Sequence, residues 1–211
     1  MKALDAPIAT ILLLILAGVP QSSAQEPTET IDFFTTNVVS TRFEQEGPDD
    51  GVKHLARQSD GRTTLENLDG VPCRYLNRAA DGKTFGYLYF TIHPDFKARE
   101  LKTARIEVEY KVINDSLLRL QYDAIVGDDH KPYKGVVAQE GSRTKLAPTA
   151  EYARIRGTNA WQKATFYIAD GAFKNSQNGK ADFRLEVMPP EIYVRRVTVT
   201  REDVAPPPPP K

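Results

Sequence analysis

Disulfides within the chain are excluded at once, because its 211 residues include a single cysteine, Cys73. A chain of this length can bury a core large enough to do without cross-links. Cys73 lies in the apolar stretch VPCRYL with no histidine nearby, which reads as a small buried hydrophobe rather than a reactive thiol. An excess of either charge is also missing: 28 Lys plus Arg balance 28 Asp plus Glu. That balance argues against nucleic-acid binding, which draws its affinity from neutralised phosphates, and against a polybasic grip on anionic lipid. Histidine is scarce. His54, His93 and His130 are scattered, with no H-x-x-x-H pair and no cysteine partner, so zinc chemistry is poorly supported. The chain has no G-x-S-x-G elbow and no phosphate-cradling glycine loop.

Long apolar runs are limited to one, IATILLLILAG from Ile8 to Gly18. Lys2 precedes it, diluted by Asp5, and Ser22 and Ala24 follow at small-residue positions. This is the pattern of a secretory signal peptide over residues 1–24, cleaved before Gln25. The competing reading, a membrane span, fails on length, since crossing the hydrocarbon takes about 20 apolar residues. With no cysteine near the cleavage point, a lipid anchor on an N-terminal cysteine is excluded. The expectation is a secreted or periplasmic chain whose mature part does not insert into a membrane. At the other end, residues 204–211 carry five consecutive prolines, which favour an extended left-handed tail.

Helical periodicity is absent as well. In its place stand short runs of period two, separated by Gly, Asn, Asp and Pro. Ile106, Val108 and Tyr110 alternate with Glu107 and Glu109. Leu118, Leu120 and Tyr122 alternate with Arg119 and Gln121. Ala164, Phe166 and Ile168 alternate with Thr165 and Tyr167, and Phe183, Leu185 and Val187 with Arg184 and Glu186. Each predicts a strand with one buried and one wet face. Further strands are predicted at Cys73–Leu76, Phe85–Ile92, Val136–Ala138, Tyr152–Ile155 and Ile192–Thr200, with a short helix at most after Pro94. Many half-buried strands without crossover helices mean an all-β, two-sheet antiparallel β-sandwich over residues 61–203. Residues 25–60 are either an N-terminal arm or additional strands, and Ile31–Phe43 is their apolar part.

The blocks GYLYFTIHPDF from Gly86, ARIEVEYKVIN from Ala104, LRLQYDA from Leu118 and PYKG from Pro132 form the first half of a pattern. WQKATFYIADGAFKNSQNGKADFRL from Trp161 and IYVRRVTVTRE from Ile192 complete it. Together they resemble the galactose-binding-like, jelly-roll accessory domains appended to bacterial glycoside hydrolases, a fold shared by many carbohydrate-binding modules. The resemblance spans about Gly61 to Glu202. It implies a jelly-roll sandwich with a variable loop at DAIVGDDHKPYKG. It also implies a structural calcium pinning the strand ends, for which Glu66, Asn67, Asp69 and Asp203 are the available oxygens. None of these lies in a loop with the alternating Asp/Asn spacing of a dedicated calcium site.

Sugars are bound by aromatic rings laid on the apolar face of a pyranose, with amide, carboxylate and guanidinium groups reaching the hydroxyls. Tyr133, in a polar loop with Asp128, Asp129 and His130, fits that chemistry; a ring folded over the sandwich edge is the plain alternative. Trp161, the only tryptophan, is either a platform or a packing residue at the head of its strand. Asn175 and Gln177, in the amide-rich loop KNSQNGK, are further candidates, while Asn178-Gly179 is explained by the turn it makes. Arg195 and Arg196 break the alternation of IYVRRVTV. A β-bulge accounts for the break and would aim one arginine at a binding face for an acidic sugar; a surface cation paired with a carboxylate is the alternative.

The expected partner is a carbohydrate or another secreted protein. The leading function is a non-catalytic carbohydrate-binding protein. The alternatives are a structural or protein-interaction sandwich using Ile31–Phe43, and a small polysaccharide hydrolase or lyase with acid and base among Asp128, Asp129 and His130.

Overall fold

A computed structural model describes residues 31–43, 50–56, 60–123, 153–175 and 177–202, together with the backbone of 124–126 and 131–134. The described residues hold twelve strands: β1 (Val38–Ser40), β2 (Val52–His54), β3 (Thr64–Leu68), β4 (Val71–Asn77), β5 (Gly86–Ile92), β6 (Ala104–Lys111), β7 (Ser116–Val126), β8 (Lys131–Lys134), β9 (Ala153–Ile155), β10 (Gln162–Ile168), β11 (Phe183–Met188) and β12 (Glu191–Arg201). One short helix, α1 (Pro94–Ala98), starts at the proline expected to open it. The strands form two six-stranded sheets, and the paired strands run antiparallel. The first has the order β10-β6-β12-β4-β3, with β1 beside β12. The second has the order β2-β5-β11-β7-β8, with β9 also on β7. Successive long strands from β4 to β7, and again from β10 to β12, alternate between sheets, which is the wiring of a jelly-roll sandwich. The stretch Val136–Ala138 lies outside the described residues. Among those described, no helix is long and apolar enough to cross a membrane.

The period-two pattern fixes the core. Ile106, Val108, Phe166, Ile168, Ile192, Val194, Val197 and Val199 come from the first sheet. They meet Leu88, Phe90, Leu118, Leu120, Tyr122, Phe183, Leu185 and Val187 of the second, all at most 5% exposed. Burying each such side chain stabilises the fold by about 1.5–3 kcal/mol. Across the β5–β11 pair, Phe90 stacks on Phe183 at 5.1 Å between ring centroids. Cys73 is fully buried, and that burial pushes its thiol up, as a packing residue requires.

The outward face of the second sheet departs from the expected wet face. Arg119, Gln121 and Glu186 are buried there beside Tyr87 and Tyr89. Burial is tolerated because the polar groups satisfy one another. Glu186 accepts from the Arg119 guanidinium and, at 2.6 Å, from Gln121. Arg184 donates to Gln121 and to the Tyr89 hydroxyl, which in turn donates to Asp60 at 2.9 Å. The Arg184 guanidinium lies 4.0 Å over the Tyr87 ring. Gly61 packs against this face so closely that a β-carbon there would lie 2.5 Å from the Tyr87 carbonyl oxygen.

His54 is the inward residue at the end of β2. Its ring lies 5.8 Å from Phe43 and 5.2 Å from Phe90, and neither nitrogen has a hydrogen-bond partner among the described residues. Burial, reinforced by the Arg74 charge, lowers its pKa to about 3. The unfolded chain takes up this proton below about pH 6.5 while the folded chain does not. Stability is therefore full above that pH and is lost as the pH falls toward 3. Between pH 7 and pH 4 the wild-type chain should lose about 3 kcal/mol more stability than His54→Leu, read from urea unfolding at both pH values. Equal losses in the two proteins would refute the assignment.

Candidate functional site

The outer face of the first sheet gathers two of the sequence-predicted residues, Trp161 and Arg195. The hydrophobic residues of β12 force the arrangement. Ile192 and Val194 point to the core, and so do Val197 and Val199, yet the two pairs are out of phase by one residue. The register on β6 shifts between Val194, opposite Tyr110, and Arg196, opposite Glu109. Arg195 is the extra residue, as the broken alternation predicts. Arg195 and Arg196 then share a shallow concavity of about 290 Å³ with Val71 and Glu109.

Arg195 is fixed from two sides. Its Nε donates to Glu109 Oε2 at 2.7 Å, and its guanidinium lies 4.8 Å over the Trp161 ring. Trp161 directly precedes the first paired residue of β10 and is half-buried. Its indole N–H is buried and has no acceptor among the described residues. One strand pair further, Tyr193 of β12 faces Tyr75 of β4, their half-buried rings stacked at 4.2 Å and 9°. The Tyr75 hydroxyl donates to Glu191 at 3.1 Å and accepts from Asn77 at 2.8 Å. Burial, and then the Glu191 carboxylate, push its phenol up, so it stays a donor. On the other side Tyr193 faces Lys111, whose buried ammonium lies 2.9 Å from Asp69. The result is an aromatic and charged face on rigid strands. It can stack on a flat apolar surface and hydrogen-bond to its edges.

Tyr75, Tyr193 and Glu109 were not singled out by sequence. The available signal was an aromatic at the outward position of two strands, Arg74-Tyr75-Leu76 and Ile192-Tyr193-Val194, where charges stand elsewhere on this sheet.

The remaining candidates are placed differently. Asn175 belongs to the loop between β10 and β11, at the rim of a cleft of about 600 Å³ bounded by α1. Its hydrogen-bonding groups are spent within the fold. Oδ1 accepts from Lys97 at 2.9 Å and Nδ2 donates to the Lys180 carbonyl at 2.9 Å. Its φ of 59°, with Phe173 at 42° and Lys180 at 63°, makes this a tightly wound loop. Asp182 anchors it: this fully buried carboxylate accepts from Ile92 N, Asn175 N and the Lys97 ammonium. Gln177 is buried in the same loop, so neither amide is presented as a ligand donor. Tyr133 is on β8, opposite Ala124 of β7. Its side chain lies outside the described residues, as do Asp128, Asp129, His130 and Asp203.

Of the calcium oxygens, Glu66 and Asn67 are exposed on β3 and Asp69 is in the turn after it. Glu66 accepts from the Thr64 hydroxyl at 2.9 Å, and Asp69 is engaged by Lys111. Among the described residues no three His, Cys, Asp or Glu side chains converge as a metal set.

No family model matches the chain, and no curated protein matches it. Among solved structures it is similar to a family 29 carbohydrate-binding module from Piromyces equi, with 11% identity and a TM-score of 0.39, over 78% of this chain and 92% of that one.

The Lys97–Asp182 pair gives a structural prediction. Removing the ammonium in Lys97→Ala leaves a buried carboxylate without its counter-ion, and unfolding should become easier by about 3–5 kcal/mol. Denaturant titration measures it, and a loss under about 1 kcal/mol would mean that the backbone donors alone hold Asp182.

Proposed function

We propose that this chain is an exported, non-catalytic carbohydrate-binding protein whose glycan lies across the outer face of the first sheet. One observation carries the reading. Three half-buried rings, Trp161, Tyr75 and Tyr193, stand on the solvent side of one sheet beside the Arg195–Glu109 pair. A sheet face turned to water is ordinarily polar, and aromatic area left there gains most when a ligand covers it.

The mechanism is recognition without bond making. The rings offer flat apolar surface to the C–H face of a pyranose. Glu109, Arg195 and Asn77 offer acceptors and donors at the rim. All of these positions are on strands or directly beside them, so few groups must be ordered on binding. Export rests on the charged start, the apolar run and the small-residue positions of residues 1–24.

Affinity electrophoresis of the mature chain through a panel of neutral and acidic polysaccharides tests the proposal. At least one polymer should retard the wild-type chain. Trp161→Ala and Tyr193→Ala should each weaken that retardation about tenfold or more while circular dichroism stays native. No retardation by any polymer, or retardation indifferent to both substitutions, would overturn it.

A further inference from the structure

The bulge in β12 does more than admit an extra residue. An unbulged strand would send neighbouring side chains to opposite faces. Here Arg195 and Arg196 line the same concavity, with Val71 at its side. The cations around it are otherwise matched. Arg195 meets Glu109 at 2.7 Å, Lys111 meets Asp69 at 2.9 Å, and Lys163 meets Glu107 at 3.4 Å. Arg196 is exposed and has no ion-pair partner among the described residues. A surplus guanidinium thus stands in a concavity beside an arginine already held over an aromatic ring.

Resting on the carbohydrate reading above, the geometry points to a sugar acid as the ligand: a uronate residue whose carboxylate is taken by Arg196, next to the Trp161–Arg195 stack. The planar fork of a guanidinium matches a carboxylate through two parallel N–H···O bonds, which an ammonium does not reproduce. Glu109 plays a positioning part. It draws Arg195 onto the ring and leaves Arg196 as the unmatched charge. A neutral sugar lying on the same rings would leave the Arg196 guanidinium in water and gain nothing from it.

The test uses matched polymers: polygalacturonate, alginate and a glucuronan, each beside its carboxyl-reduced neutral form, with dextran sulfate as a general polyanion. Titration calorimetry on the mature chain should show at least one uronate polymer bound about tenfold or more tightly than its reduced form. Arg196→Gln should abolish that margin and leave binding of the reduced form unchanged. Arg196→Lys should restore only part of it. A uronate margin that survives Arg196→Gln overturns the inference. So does dextran sulfate binding as tightly as the uronate, because the site would then read charge alone. Equal binding of uronate and reduced forms by the wild-type chain overturns the acid assignment and leaves the carbohydrate reading intact. Absence of binding to every polymer in both forms removes the two together.

Discussion

The phase of β12 is the constraint from which the outer face of the first sheet follows. A strand of period two keeps its hydrophobic residues on one side only while their spacing stays even. Val194 and Val197 are three apart, and both are fully buried. Without an extra residue, one half of the strand would turn its valines to water, at a cost of about 1.5–3 kcal/mol for each side chain. The bulge reconciles the halves and sends the surplus outward. What stands outside is therefore dictated by what must stay inside.

The two sheets use their outer faces in opposite ways. On the second, Arg119, Gln121, Arg184 and Glu186 bond to one another and to Tyr89, and most of this set is withdrawn from water. A network with its donors and acceptors engaged adds rigidity and offers little to a ligand. On the first, ion pairs are local, rings are half-exposed, and Arg196 has no ion-pair partner among the described residues. Burial and exposure of similar residue types thus separate a face closed on itself from one left open to solvent. Composition does not make that distinction.

Much of the fold was legible because alternation is a strong signal. The sandwich, the long strands β6, β7 and β10 to β12 and the break at Arg195 follow from it, while β5 and the buried Cys73 are legible as apolar runs. The short strands β1 and β2 carry too few residues to show a period. β3, TLENL, alternates no better than a loop, and its pairing with β4 is visible only in three dimensions. The candidate site is half legible: Trp161 and Arg195 are each unusual in the sequence by themselves. That they meet depends on β10 and β12 flanking β6, a sheet order that sequence does not contain. Asn175 and Gln177 looked like ligand donors because an exposed amide and one folded into its own loop have the same spelling.

The first strand of the described chain lies against the last: Val38 pairs with Thr200 and Ser40 with Thr198. Synthesis makes β1 first and β12 last, with the rest of the sandwich between them. Until the final strand emerges β1 has only the bridge from Ser40 to Gly51, and β4 and β6 each have a partner on one side alone, β3 and β10. The pairs β3–β4 and β10–β6 can each form beforehand, but joining them in one sheet needs β12, a non-local step of the kind that slows folding. A chain cut short before β12 would leave several strand edges open to aggregation at once.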